Sequence, residues 1–242
     1  MDTISFNAVL VVLLSIVVLY VSIKFIRGKI YDMAFVGLST KWYREVLELL
    51  KPRSRVLDVG IGTGMALINN KDLIEEKKII IDGVDYDSDY ITDCKKNIQR
   101  YGLENAIKVY CKSIYDYTSK DKYDAVYFGA SLMIMPDNVK ALKHVSSLLK
   151  PNGRIFITQT IQTQRSKTVE VVKPLLKYLT TIDFGNVTYE NELMQTFNEA
   201  GLTVLDNRAI ADSSMDSLRS YRLFVLEKYP SGTSIFDAKK LK

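Results

Sequence analysis

The chain has 242 residues, 47% of them hydrophobic, which is enough for one α/β domain and an appendage. Its net charge of +5 comes without a dense basic stripe, so nucleic acid is not expected as a partner. The two cysteines, Cys94 and Cys111, fall in a predicted helix and a predicted strand. They are expected to be reduced thiols, which indicates a reducing compartment.

The first predicted element is an apolar helix. No charged residue lies between Asp2 and Lys24, which leaves 21 uncharged positions, mostly Val, Leu and Ile. As a helix this stretch is about 31 Å long, close to the roughly 30 Å core of a bilayer. A cleaved signal peptide would need a basic start and a shorter apolar core, and a buried helix apolar on all sides would find little to pack against. We therefore predict that residues 1–29 are a transmembrane anchor with a basic flank.

The charges beside this helix predict its orientation. Lys24, Arg27 and Lys29 follow the apolar stretch, whereas Asp2 precedes it. The positive-inside rule then places the rest of the chain in the cytosol. The sequence thus predicts a single-pass membrane protein that has the lipid bilayer as a partner through one N-terminal helix.

A leading helix is predicted over residues 30–50. It carries Tyr31, Phe35, Trp42 and Tyr43 at helical spacing. These aromatic side chains either form a lid over the mouth of a pocket or pack into the core, and the sequence leaves both interpretations open. The main domain is predicted over residues 51–228.

The stretch from Val56 to Gly64 reads V-L-D-V-G-I-G-T-G. An apolar run that ends in three alternating glycines predicts a buried strand, a tight loop and then a helix. Glycine has no Cβ, so the loop can adopt positive φ and bring its N–H groups close to a ligand. A second apolar strand, Ile79 to Asp85, ends in a carboxylate about 20 residues after the loop. Rossmann-like units place the acid that binds a ribose at this distance.

The G-x-G-x-G pattern, with Asp58 two residues before it, resembles motif I of class I S-adenosylmethionine-dependent methyltransferases. "LLKPNGRIFITQ" is similar to the "LKPGG" turn and strand of the same class. Its strand is predicted over Ile155 to Thr158, and a polar loop that begins at Gln159 is expected to help shape the acceptor site. The resemblance covers about residues 40–228. It implies a Rossmann-like α/β sheet, mostly parallel with an antiparallel last strand, and S-adenosylmethionine as the cofactor.

The resemblance also implies roles for individual residues. Asp58 steadies the loop, the loop faces the methionine part of the cofactor, Asp85 holds the ribose and Tyr86 flanks the adenine. Ser113 stands where the family usually carries an acid that contacts adenine, and the backbone N–H of Ile114 is left for that contact. The expected cofactor-binding residues are Asp58, Gly60, Ile61, Gly62, Thr63, Gly64, Asp85, Tyr86, Ser113, Ile114 and Gly129.

The acceptor is expected beside the segment from Gly129 to Pro136, because ligands of parallel sheets bind outside the carboxyl ends of the strands. Met133 and Ile134 stand where several small-molecule methyltransferases carry paired histidines. These apolar residues either favour a lipophilic acceptor or fill the core. The single histidine, His144, lies away from the strand ends, so no histidine base is expected. No catalytic residue is assigned and no metal site is predicted.

The last part of the domain is predicted to contain a helical insertion over the substrate, Thr168 to Thr181. A flexible tail, residues 229–242, follows. It ends in Lys239-Lys240-Leu241-Lys242, which resembles the dilysine retrieval signal of the endoplasmic reticulum. That signal agrees with a cytosolic tail, so the endoplasmic reticulum membrane is the predicted location.

The predicted function is methyl transfer from S-adenosylmethionine to nitrogen, sulfur or oxygen of a lipophilic small molecule or lipid headgroup. Protein methylation and a catalytically silent membrane scaffold with the same fold are the alternatives. The acceptor and the oligomeric state do not follow from the sequence.

Overall fold

The structure is a computed structural model that describes residues 6–180 and 185–229, with the backbone alone at 6–7, 20, 23–34, 173–174 and 176–180. The predicted retrieval signal at Lys239 and Lys240 lies outside the described residues, and so do the side chains of Lys24, Arg27 and Lys29.

Seven helices and seven strands are described. The helices are α1 Phe6–Leu49, α2 Met65–Ile68, α3 Lys71–Lys77, α4 Ser88–Tyr101, α5 Asn138–Leu148, α6 Lys167–Thr180 and α7 Glu190–Glu199. The strands are β1 Arg55–Val59, β2 Ile80–Asp85, β3 Ile107–Cys111, β4 Tyr123–Gly129, β5 Leu149–Gln162, β6 Leu202–Ala209 and β7 Arg219–Lys228. Two 3₁₀ turns, Ile114–Asp116 and Leu132–Ile134, follow β3 and β4.

The strands form one sheet in the order β3-β2-β1-β4-β5-β7-β6. Strands β1 to β5 are parallel, and β7 is antiparallel to both β5 and β6. Their apolar runs are buried on both faces, as expected for parallel strands covered by helices. The predicted Rossmann-like α/β fold with an antiparallel last strand is therefore confirmed.

The core lies on both faces of this sheet. One face packs against the end of α1 and against α2, α3 and α4, with Trp42, Ile74 and Cys94 among the buried side chains. The other face packs against α5 and α7, with Leu142 and Phe197 among them. Because both faces are covered, ligands can reach the sheet only at its edges and at the ends of its strands.

Helix α1 runs without a break through the two N-terminal segments that the sequence predicted separately. Its last turns are part of the core, where Trp42, Tyr43, Val46 and Leu47 are buried. Its earlier apolar side chains are exposed, 61% at Val11 for example.

The predicted transmembrane anchor at residues 1–29 is wrong. Among the described residues, no helix is both long and apolar enough to cross a bilayer. The prediction had counted every uncharged position from Thr3 to Ile23 as one span. The predicted location as a single-pass protein of the endoplasmic reticulum membrane depended on this anchor and is wrong as well.

Two element boundaries also differ from the prediction. The helix expected over residues 65–76 is divided into α2 and α3, because Asn70 turns the chain and donates to the carbonyls of Thr40 and Ala66, each at 3.0 Å. Strand β5 extends past the predicted end at Thr158, because β7 continues to pair with it as far as Gln162 and Arg219.

Candidate active site

The loop after β1 contains three glycines with positive φ, 77° at Gly60, 58° at Gly62 and 71° at Gly64. A Cβ at Gly60 would lie 2.5 Å from Cβ of Ser131, and one at Gly64 would lie 2.6 Å from Sγ of Cys94. These two glycines therefore allow the loop to pack closely against its neighbours. A Cβ at Gly62 would meet nothing within 4 Å. The loop thus presents backbone to open space at Gly62.

Asp85 ends β2 and fixes the shape of this loop. Its Oδ2 accepts a hydrogen bond from the N–H of Gly62 at 3.0 Å, and its Oδ1 accepts one from the N–H of Asp87 at 3.0 Å. Burial raises the pKa of Asp85, while these backbone donors act in the opposite direction. The predicted acid and the glycine loop are therefore in direct contact.

Asp58 lies in β1 just before the loop and is 1% exposed. Its Oδ2 accepts a hydrogen bond from the Tyr43 hydroxyl at 2.8 Å. Its Oδ1 is buried and has no hydrogen-bond partner within the described part of the chain. Burial raises the pKa of Asp58 to about 7, the hydrogen bond from Tyr43 lowers it and the charge of Asp85 raises it. An unpaired buried acceptor of this kind is suited to a cationic or hydrogen-bond-donating ligand.

Tyr43 connects helix α1 to this carboxylate. Its ring packs edge to face on Tyr127 at a centroid distance of 4.8 Å, and the Tyr127 hydroxyl lies 2.6 Å from Oγ1 of Thr158. The sequence had left open whether the aromatic residues of this helix pack or cover a pocket. Tyr43 packs on Tyr127 and also donates a hydrogen bond to Asp58, a contact that the helical spacing of Tyr43 alone could not indicate. Trp42 packs against Tyr221.

The predicted adenine-side residues lie at the ends of β2 and β3. Tyr86 is 70% exposed. The N–H of Lys112 donates to the carbonyl of Asp85 at 2.9 Å, which joins the ends of these strands. Ser113 then caps a 3₁₀ turn by accepting from the N–H of Tyr115, and Ile114 is buried. The structure therefore brings Tyr86 and the Ser113–Ile114 pair to the same edge as Asp85.

Strand β4 ends at Gly129, which pairs with Thr158 of β5. The next residue, Ala130, has a φ of 57°, a left-handed conformation that is uncommon for a residue with a Cβ. This turn brings Ser131 back under β1, where its hydroxyl donates to the carbonyl of Val59. Backbone strain of this kind often occurs at functional sites, and here it determines the path of the chain between the glycine loop and Met133.

The expected acceptor residues lie beside a segment that sequence reasoning did not connect to them. A Cβ at Gly185 would lie 2.6 Å from the carbonyl oxygen of Met133, so residues 185–188 pass directly over the loop after β4. Thr188 of the same segment bonds to Gln159, a buried side chain in β5. Gln159 was predicted as the first residue of an acceptor-side loop, because the strand was predicted to end one residue earlier, and its burial within β5 was not foreseen. His144 lies elsewhere, with Nε2 2.8 Å from the carbonyl oxygen of Tyr117.

A protein family described as "Methyltransferase domain" matches residues 36–201 of this chain. The chain belongs to this methyltransferase family. The match begins within α1 and ends after α7, so it includes the glycine loop, Asp85 and the end of β4.

Similar proteins agree with this assignment. The chain is 21% identical to phosphatidylethanolamine N-methyltransferase of Cereibacter sphaeroides, over 67% of this chain and 78% of that protein. It is 27% identical to demethylmenaquinone methyltransferase of Bacillus cytotoxicus, over 50% of this chain and 52% of that protein. The chain thus spans about half the length of this second relative.

A solved structure shows the same fold. It is an S-adenosylmethionine-dependent methyltransferase from Geobacter sulfurreducens in complex with S-adenosylhomocysteine, with a TM-score of 0.57 and 19% identity, covering 78% of this chain and 90% of that one. The predictions of a methyltransferase and of S-adenosylmethionine as its cofactor are confirmed. The residues that hold the cofactor and the acceptor remain to be assigned.

Proposed function

We propose that this methyltransferase transfers a methyl group from S-adenosylmethionine to a lipophilic small molecule or lipid headgroup. The proposed cofactor site rests on two features found together: the backbone at Gly62 faces open space, and one carboxylate oxygen of Asp58 is buried without a hydrogen-bond partner among the described residues. The names of the relatives, which specify a phospholipid and a demethylated quinone, support the acceptor class.

The polar groups around the glycine loop fit the chemical groups of S-adenosylmethionine. We assign the Asp58 carboxylate, oriented by Tyr43, to the amino-acid end of the cofactor, since that end carries an ammonium group. Asp85 is assigned to the ribose, because its carboxylate already accepts two hydrogen bonds and can accept from a diol at the same edge. Tyr86 and the backbone of Ile114 are assigned to the adenine. The remaining loop residues of the site are Gly60, Ile61, Thr63 and Gly64, with Ser113 and Gly129 at the neighbouring strand ends.

When bound, S-adenosylmethionine supplies a methyl group already activated by the sulfonium. The protein therefore contributes mainly by positioning, which can account for many orders of magnitude in rate. In this chain the glycine loop and Asp85 provide a rigid binding surface, and the turn through Ala130 holds the acceptor side at a fixed distance from it. A lipophilic acceptor would contact Met133 and Met135, which are half-buried.

The cofactor site is tested by calorimetric titration of the full chain with S-adenosylmethionine. We expect Asp85→Asn to weaken binding at least tenfold, about 1.4 kcal/mol, because one amide oxygen cannot accept from Gly62, Asp87 and a ribose together. The control is Asp93→Asn, an exposed aspartate on α4 that pairs with Lys96. Equal affinities for the two variants would contradict the assigned role of Asp85.

The acceptor class is tested with labelled cofactor. The full chain is incubated with phosphatidylethanolamine vesicles or with demethylmenaquinol, and we expect label in one of these fractions. Label that enters protein instead, or cofactor binding without any transfer, would overturn the proposed acceptor class and favour protein methylation or a silent scaffold.

A further inference from the structure

We infer that Gln159 binds the polar end of the methyl acceptor, its side-chain oxygen accepting a hydrogen bond from an N–H or O–H group of that molecule. The inference rests on the proposed methyl transfer. Beyond that function, it specifies the residue that selects the acceptor and the chemical group of the acceptor that this residue recognises.

The first argument is the position of Gln159. Thr158 of β5 pairs with Gly129 at the end of β4, and Gln159 is the next residue, at the carboxyl end of the sheet. The register aligns Asp58 with Tyr127 and Tyr127 with Phe156. Gln159 is therefore two strands and three residues from Asp58, about 10 Å across the sheet and about 10 Å along it. Side chains alternate along a strand, so Gln159 lies on the sheet face of Ile157 and Ile161, whereas Asp58 lies on the opposite face, that of Tyr127 and Phe156. The two side chains therefore flank the carboxyl end of the sheet from opposite faces.

The second argument is the state of its side chain. Gln159 is 1% exposed, and its Nε2 donates to Oγ1 of Thr188 at 2.6 Å. Its Oε1 is buried with no hydrogen-bond partner among the residues that the structure describes. Leaving a buried acceptor unpaired costs about 1–3 kcal/mol. Such a cost at a strand end is explained if a ligand supplies the missing donor.

The polar residue opposite Gln159 does not supply the missing hydrogen bond. Arg222 of β7 lies directly opposite Gln159 and is also buried. All three of its guanidinium nitrogens have partners: Nε donates to Ser220, Nη1 to Asn207 and Glu190, and Nη2 to the carbonyl of Met215. The arginine donors are thus engaged elsewhere, and the Gln159 oxygen is left for something outside the sheet.

The third argument is what surrounds this oxygen. The segment 185–188 lies against both β5 and the loop after β4, since Gly185 packs on Met133 and the Thr188 carbonyl accepts from the N–H of Gln162 at 2.9 Å. Ile161, two residues along β5 on the same face, is apolar and buried, and it belongs to the same core cluster as Leu132.

This environment defines the class of acceptor. The apolar neighbours favour a hydrophobic body, and one fixed carbonyl oxygen favours a single donor, an amine or a hydroxyl. An ionised phosphate or carboxylate offers only acceptor atoms and would be rejected at this position. The amine of a phospholipid headgroup and the hydroxyl of a quinol share the required chemistry.

The test compares Gln159→Leu, Gln159→Glu and the wild-type chain. Leucine removes the acceptor oxygen at similar volume, whereas glutamate retains one. For each protein we measure the thermal midpoint, the Kd for S-adenosylmethionine, and kcat/KM for labelled methyl transfer to phosphatidylethanolamine vesicles and to demethylmenaquinol. Gln195→Leu is the matched control, because that glutamine is exposed on α7 and bonds only to Glu199 among the contacts described.

We expect Gln159→Leu to lower kcat/KM at least tenfold for one of the two acceptors, which identifies the source. Its Kd for S-adenosylmethionine should stay within twofold. Its thermal midpoint should change little, because the substitution removes both an unpaired acceptor and the hydrogen bond from Nε2 to Thr188. Gln159→Glu should recover most of the lost transfer.

Unchanged transfer by Gln159→Leu, or a lower thermal midpoint with transfer in proportion to folded protein, would overturn the inference and indicate a structural role. A wild-type chain that transfers methyl to neither acceptor would instead overturn the proposed function, and the inference with it. The two failures are therefore distinguishable.

Discussion

At the scale of single residues, the Asp58 carboxyl group makes stability depend on pH. Its pKa is raised from its ordinary value to about 7 in the folded protein, so the folded chain holds a proton that the unfolded chain releases between about pH 4 and 7. The free energy of unfolding should therefore fall as pH rises through this window. In Asp58→Asn this part of the dependence disappears, a difference of about 2–4 kcal/mol between pH 5 and 8.

Urea unfolding of both proteins at pH 5 and pH 8 measures this difference. Asp85, whose pKa burial also raises, adds a dependence of the same sign that the variant keeps. Parallel curves for the wild type and Asp58→Asn would contradict the assignment of a proton to Asp58.

Much of the cofactor side of the site was predictable from local sequence. The spacing of three glycines and two aspartates specifies a strand, a loop and a second strand, and their parallel pairing brings Asp85 to Gly62. The contacts that Tyr43 and Gln159 make were not predictable. Their partners, Asp58 and Thr188, are 15 and 29 residues away, and each contact depends on how a helix or a segment packs on the finished sheet.

At the scale of elements, the last turns of α1 are part of the core. Trp42 is 3% exposed, whereas Leu49 of the same helix is 44% exposed. We expect Trp42→Ala to lower the free energy of unfolding by about 3–5 kcal/mol, as for other large core side chains, and Leu49→Ala to lower it by less than 1 kcal/mol. Chemical denaturation of both variants measures this, and similar losses would show that this end of the helix is not docked.

The same helix shows why one element was predicted incorrectly. Uncharged composition alone suggested a membrane span for its first part, but composition does not show where an element ends, and α1 continues as one helix into the core. The presence of the strands along the chain was predictable because each strand has its own apolar run and turn residues. The length of β5 was not, since its last residues are held by β7, more than 50 residues later.

At the scale of the whole molecule, the two ends of the sheet differ in the interactions that they contain. The carboxyl ends carry the proposed site. Near the amino ends, Asp82 accepts from Tyr123 at 2.7 Å and from Arg55 at 2.6 Å, and Tyr123 also lies 2.7 Å from the Tyr117 hydroxyl. Burial raises the pKa of Tyr123, so its hydroxyl remains a donor.

We expect Tyr123→Phe to lower the free energy of unfolding by about 1–3 kcal/mol, because Asp82 loses a donor in the interior. The Kd for S-adenosylmethionine should not change, since the contact lies away from the glycine loop. Denaturation and calorimetric titration of the same preparation measure both quantities, with Tyr101→Phe, a more exposed tyrosine, as the control. Weaker cofactor binding in Tyr123→Phe alone would show that the two ends of the sheet are coupled.

The position of β7 also has a consequence during synthesis on the ribosome. It lies between β5 and β6 in the sheet although both precede it in the chain. Until residues 219–228 have left the exit tunnel, β5 has no neighbour on that side and β6 has none to join it to the sheet. The nascent chain therefore has to keep an open strand edge from pairing with other chains through some 60 residues of further translation, and chaperones that bind unpaired strands would act in this interval.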